Sequence, residues 1–160
     1  MDTTLAAVVP LFRANNDLFR GGLAGISRED LSRRPHGDSN PIIWVAAHAL
    51  SWRSSLAKMC GADVTNPWAR LFEGGSKLDD EMEYPEASEI IELWDDTTRK
   101  LMKRFEELGD DELAKPASFG VPFGENTLRG AIVFLNFHET YHIGQIGFLR
   151  KWLGYSQLIG

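Results

Sequence analysis

The sequence predicts an all-α protein, a four-helix bundle with a long crossover connection between its second and third helices. Three observations carry this expectation. Apolar residues recur at three- and four-residue steps in four separate stretches, the signature of amphipathic helices. No stretch alternates convincingly with period two, so strands have no support. Residues 61–85 and 109–126, which separate the later stretches, are rich in helix-breaking types such as glycine and proline. Four such helices bury their stripes most simply against one another.

The first stripe comprises Leu5, Val8, Val9, Phe12, Asn16 and Phe19, and Gly21-Gly22 is its expected end. Pro10 lies inside it. Proline removes a backbone donor and crowds the preceding turn, so a frayed first turn or a kink near residue 9 is expected. Residues 27–31 read as a single capped turn. For the second helix, Asn40 is the expected N-cap with Pro41 at the first helical position. The helix runs from Ile42 to about Met59 and stops at Gly61. Trp44, Val45, Trp52, Ser55 and Met59 lie within about 60° of His48 around its axis, and that face is expected to point inward. The long connection at 61–85 is expected to cross the bundle, with Trp68, Leu71 and Phe72 packing down onto it. The third helix, residues 86–108, carries Ile90, Ile91, Trp94, Thr98, Leu101, Phe105 and Leu108 as its stripe and a charged, solvated opposite face. Asn126 or Thr127 caps the fourth and longest helix, which continues to Leu153.

Composition limits the partners. A chain of 160 residues suits one domain, taken as residues 1–160, with a proper core. Net charge is −6 with no long basic run, which gives no support to nucleic-acid binding and fits anionic membranes poorly. Cys60 is the only cysteine, so no internal disulfide forms, which suits a reducing compartment. The N-terminus lacks the basic-then-apolar pattern of a leader, and no stretch is long enough to span a membrane. The cytoplasm is the expected location.

The chemistry concentrates in the fourth helix. His138 and His142 are four residues apart, so both imidazoles project from one face about 40° apart. That face also carries Ala131, Phe134, Leu135, Gln145, Leu149 and Trp152. Two imidazoles buried side by side are costly without partners. Separate hydrogen bonds are one solution; a shared metal ion is the other, because it takes up both ring nitrogens. His48, on the apolar face of the second helix, is the candidate third ligand. His36 sits in the Pro35-His36-Gly37-Asp38 turn and is expected to be exposed. Cys60 lies about 120° from the His48 direction and is not an expected ligand.

His138-Glu139-Thr140-Tyr141-His142 also matches H-E-x-x-H, the zinc-protease pattern in which the glutamate is a general base. Two features oppose a protease. Residues 143–160 contain no Asp, Glu or His to serve as a downstream ligand. Gln145 and Phe148 stand where the extended pattern needs glycine and histidine. The candidate catalytic residues around the ligands are Gln145, Glu139 and Tyr141. Gln145 is placed to orient a ligand, Glu139 to act as a base or to pair with a cation, and Tyr141 to supply a phenol.

The run from Asn40-Pro41 through Trp44 to His48, the Leu71-Phe72-x-x-Gly75-Ser76 run, and the later His138-Glu139-Thr140-Tyr141-His142-Ile143-Gly144-Gln145 together resemble the DinB/YfiT-like superfamily of metalloenzymes. The resemblance covers nearly the whole chain. It implies a bundle with a long crossover, often a homodimer, with His48, His138 and His142 as ligands of a divalent metal. Nickel or zinc is implied first, with iron or manganese as further candidates. It also implies a transferase that uses a low-molecular-weight thiol on a small-molecule substrate. A metal-dependent hydrolase that activates water, or a metal-binding bundle without catalysis, are the alternatives.

Overall fold

Helix α1 spans Thr3–Leu23 in the computed structural model of the chain, which describes residues 2–72 and 83–159. Asp2 caps it by accepting from the backbone N–H groups of Thr4 and Leu5. The helix continues through Pro10 instead of stopping or fraying there. Pro10 and Ala6 both lie on the exposed face, where the carbonyl left without a donor can meet water. Gly21-Gly22 does not end the helix either. A Cβ on Gly22 would lie 2.7 Å from the Ile146 side chain, so this glycine permits close approach of another helix.

Helix α2, Arg28–Ser32, is the expected short turn, capped by the Ser27 hydroxyl. Helix α3 spans Ile42–Met59. Its N-cap position is Pro41, with no side-chain cap bond, so Asn40 does not play the expected capping role. Residues 42–51 are all buried, which gives α3 an apolar surface nearly all round. Farther along, the face expected to point inward does so only in part: Trp52 and Met59 are half-buried and Ser55 is exposed. In the following connection a 3₁₀ turn, Ala69–Leu71, leads to Phe72. Phe72 is fully buried and Trp68 packs against the core, whereas Leu71 turns outward with 44% of its surface exposed. The rest of the Leu71–Ser76 run lies outside the described residues.

Helix α4, Ala87–Glu107, opens with a capping box in which Glu89 accepts from the Glu86 N–H at 2.8 Å. Its buried positions include the expected Ile90, Trp94, Thr98, Leu101 and Phe105. A further short helix, α5, Asp110–Leu113, occupies the stretch that reads as loop, and its Leu113 is fully buried. Helix α6, Leu128–Trp152, is capped by the Thr127 hydroxyl, which accepts from the Gly130 N–H at 3.2 Å. Asn126 instead accepts from the Val121 N–H. Among the described residues there is no strand, only an isolated bridge between Pro116 and Thr127. No described helix is long and apolar enough to cross a membrane.

Cross-helix pairs give the directions. Asp2 meets Arg129 and Asn15 meets Thr140, so α1 and α6 run parallel. Arg53 meets Thr98 and Cys60 meets Arg104, so α3 and α4 also run parallel. Phe12 faces Phe105 and Phe19 faces Trp94, so the two pairs oppose each other. Parallel neighbours joined in sequence need a connection that returns the length of the bundle, and residues 60–72 and 83–86 are its described parts.

The core has two apolar clusters. One gathers around Phe19, Leu50, Trp94 and Ile146, the other around Phe12, Leu56, Phe105 and Ile132. Between them in chain position lies a buried polar layer centred on Arg53. Its side chain is fully buried and binds both carboxylate oxygens of Glu139, at 2.7 and 2.6 Å. The guanidinium also donates to the Thr98 hydroxyl and to the Phe12 carbonyl, and sits 3.6 Å from the centre of the Trp94 ring. One side chain therefore touches all four long helices. Losing one partner strands a buried charge, so Arg53→Met or Glu139→Gln is expected to cost about 3–5 kcal/mol in urea unfolding. Replacing both together by apolar residues is expected to cost clearly less than the sum of the two single losses.

Candidate metal centre

Just before Arg53 on α3 and around Glu139 on α6, three imidazoles converge. His48 and His142 are buried and His138 is half-buried. One ligand nitrogen from each lies within 4.8 Å of the others. Two of the rings are held by their Nδ1 atoms. His48 donates from Nδ1 to the Phe72 carbonyl at 2.7 Å. Because a carbonyl can only accept, that bond fixes the proton on Nδ1 and leaves the Nε2 lone pair free. His142 donates from Nδ1 to the Gln145 side-chain oxygen, also at 2.7 Å, with the same consequence. Its Nε2 lies 3.1 Å from Nε2 of His138.

The His142 Nε2 lone pair needs a positive partner at that distance, either an Nε2–H donated by His138 or an ion shared by both rings. Nitrogen ligands about 2.0–2.1 Å from one ion stand about 3.0–3.4 Å apart, so the spacing of His138 and His142 suits a shared ion. The chemistry of the donors also suits one. Burial pushes His138 down to about 4, helped by the neighbouring His142 and His48. Burial likewise lowers His142 to about 4 against the raising effect of its Gln145 bond. His48 is lowered by burial, partly offset by its Phe72 bond. All three are thus neutral near pH 7, the form that ligates. Nδ1 of His138 is buried with no hydrogen-bond partner among the described residues. Three neutral imidazoles on two helices therefore have the makings of a divalent-metal site with open positions.

Aromatic side chains enclose the cluster. Trp44 stacks on His48 with ring centres 4.9 Å apart. Trp52 meets His48 and His138 edge-on, and Phe134 packs on His138. Tyr141 touches His142 with ring centres 5.3 Å apart but is itself 58% exposed. The Gln145 amide nitrogen reaches the Tyr141 hydroxyl at 3.4 Å. Gln145 and Tyr141 together line a cleft of about 880 Å³ that also takes in Asn40 and Asp38. His36 is exposed on the same rim. Cys60 is buried away from the cluster, its thiol pushed up to about 12 mainly by burial.

Each candidate residue now has a position. His48, His138 and His142 come together; Gln145 holds the His142 ring and Tyr141 borders the cleft. Glu139 points away from the cluster, and both of its oxygens are engaged by Arg53. Helical geometry placed it about 100° from His138, and the bundle fills that direction with a cation. Arg53 and the Phe72 carbonyl are functional groups that the sequence reading misses. An arginine inside a helix as apolar as α3 was the available signal for the first. The second carries no side-chain signal.

A family model for the DinB superfamily matches residues 11–146, a span that holds all three histidines and Gln145. The chain belongs to the DinB superfamily. No curated protein matches it. As a DinB-superfamily bundle, it combines an all-helical architecture with a histidine cluster compatible with metal binding.

Two substitutions probe the centre. His142→Ala is expected to reduce bound zinc or nickel from about one ion per chain to near none, while the far-ultraviolet circular dichroism keeps most of its helical signal, because the apolar clusters remain. Gln145→Ala leaves the three ligands but frees the His142 ring, and is expected to weaken metal affinity about 10- to 100-fold in a competition titration.

Proposed function

We propose that this DinB-superfamily chain is a metal-dependent transferase that moves a low-molecular-weight thiol onto a small electrophile. The observation that carries the reading is the division of labour on α6. His138 and His142 turn their Nε2 atoms inward, while Glu139, the residue an H-E-x-x-H hydrolase would use as its base, is tied to Arg53. Among the described residues, no carboxylate joins the histidine cluster. That disfavours water activation by a neighbouring base and supports a reaction whose nucleophile needs only to be held as its anion.

A divalent ion held by the three imidazoles supplies positive charge that favours thiolate over thiol. Imidazole donors suit nickel or zinc best, with iron and manganese lower in the usual affinity order. The residues around them do the rest. Gln145 fixes His142 and, with Tyr141, offers hydrogen bonds to the polar body of the thiol. Trp44 and Trp52 keep water away from the imidazoles. In the transfer the sulfur forms a bond to carbon, the leaving group departs with its electron pair, and the thiol proton passes to solvent. Such thiols stay reduced in the cytoplasm, where the single Cys60 thiol would also persist.

Turnover of chlorodinitrobenzene with glutathione, bacillithiol or mycothiol tests the reading. Rates at least about tenfold above the uncatalysed reaction, lost in His48→Ala, are expected for one of the thiols. Hydrolysis of ester substrates with no thiol dependence would refute it.

We infer further that the chain forms a homodimer through α6. Val133, Phe137, Tyr141 and Phe148 are 37%, 58%, 58% and 68% exposed. They lie within about 80° of arc around the helix, a continuous apolar strip of the kind monomers seldom leave bare. A second copy laid along the strip would also wall the cleft at Tyr141 and Gln145. Light scattering is expected to give twice the chain mass, and Phe137→Lys with Phe148→Lys is expected to give the monomer mass with unchanged helicity.

A further inference from the structure

A second cleft of about 610 Å³ is lined by Trp52, whose ring also meets the histidine cluster. Its floor is one stripe of α3, with Trp52, Ser55, Lys58 and Met59, and its far wall is Ser118-Phe119 from the segment after α5. Trp52 is shared between this cleft and the metal centre. Its ring centre lies 5.4 Å from His138 and 6.5 Å from His48 on one side, and 5.7 Å from Phe119 on the other. The two clefts differ in charge. The Gln145 cleft mixes apolar Val45, Phe148 and Leu149 with polar groups and carries the Asp38 carboxylate. The Trp52 cleft mixes an indole, a phenyl ring and a thioether with serine hydroxyls, and Lys58 is its one charged group. Lys58 forms no ion pair among the described residues and is exposed.

We propose that the Trp52–Phe119–Lys58 cleft binds a flat aromatic ligand that carries an anionic group, and that this ligand is the electrophilic partner in thiol transfer. The ring lies against the Trp52 indole and the Phe119 edge, where aromatic surfaces attract one another beyond simple burial. The anionic group meets the Lys58 ammonium, two turns of α3 from the Ser51 end of the stripe, with the Ser55 and Ser118 hydroxyls as neutral donors. The volume fits a one- or two-ring molecule. A two-substrate reaction needs two approaches to one centre, and each cleft has a lining residue in contact with the histidines: Gln145 with His142, and Trp52 with His138 and His48. The role as electrophile rests on the thiol-transfer reading; the ligand class rests only on the cleft.

Calorimetric titration of chelator-treated protein with 1-naphthoate and with 1-naphthalenemethanol separates these two layers. Wild-type protein is expected to bind one naphthoate per chain about fivefold more tightly than the alcohol, the reach of one exposed charge pair. Lys58→Met is expected to remove that preference while leaving the affinity for the alcohol within about twofold. Ser55→Trp, at an exposed position where the fold tolerates bulk, fills the cleft and is expected to abolish binding of both, with the thermal unfolding curve unchanged. Equal affinity for acid and alcohol in wild-type protein, or naphthoate binding that survives Ser55→Trp, would overturn the proposal. Naphthoate binding that follows this pattern in a protein without thiol-transfer activity would fault the reaction and uphold the cleft.

Discussion

A buried guanidinium cannot be left partly satisfied, and in this bundle that constraint sets the arrangement of everything else. Arg53 needs Glu139 from α6, Thr98 from α4 and a carbonyl from α1 at the same time. Shifting α3 along its axis by one turn, or rotating it, would break several of these bonds at once. Apolar packing alone is more forgiving, because leucine and isoleucine tolerate small slides. Glu139 is adjacent to His138 and three residues before His142, while Arg53 is five residues after His48. The ion pair that fixes the register of α3 against α6 therefore fixes the spacing of the three imidazoles as well.

Two properties of the site follow from this placement. The histidines are neutral because burial disfavours their charged form, and the buried charge nearby is confined to a pair, Arg53 and Glu139, that balances itself. The H-E-x-x-H pattern is thereby split into two functions on two faces. Its histidines face the centre and its glutamate faces the core. The match to a protease pattern is real as spelling, but here Arg53 engages both oxygens of the glutamate.

What could be read in the sequence was what periodicity encodes. The four stripes and the inward direction of His48, His138 and His142 depend on angles around a helix axis, fixed by 3.6 residues per turn, and the crossover showed in the length of the 61–85 connection. What could not be read depended on which neighbour fills a direction. Gly21-Gly22 looks like a terminator until Ile146 is seen against it. Leu71 looks like a core residue until Phe72 takes the inward position. Asn40 has the chemistry of a cap, yet Pro41 occupies that place. Helix α5 is one turn long, too short for any stripe to show. Arg53 was visible as a charge in an apolar helix, but its partners come from three other segments.

The bond from His48 to the Phe72 carbonyl has a genetic consequence. The acceptor belongs to the main chain, so no codon at position 72 specifies it and none can delete it directly. Substitutions there would register as changes in packing volume, and a mutational scan would file the residue with the core. The tautomer of His48 is instead inherited through the path of the backbone. Related chains could thus diverge widely in sequence around this point while keeping the same nitrogen presented to the centre, provided the connection still passes beside α3.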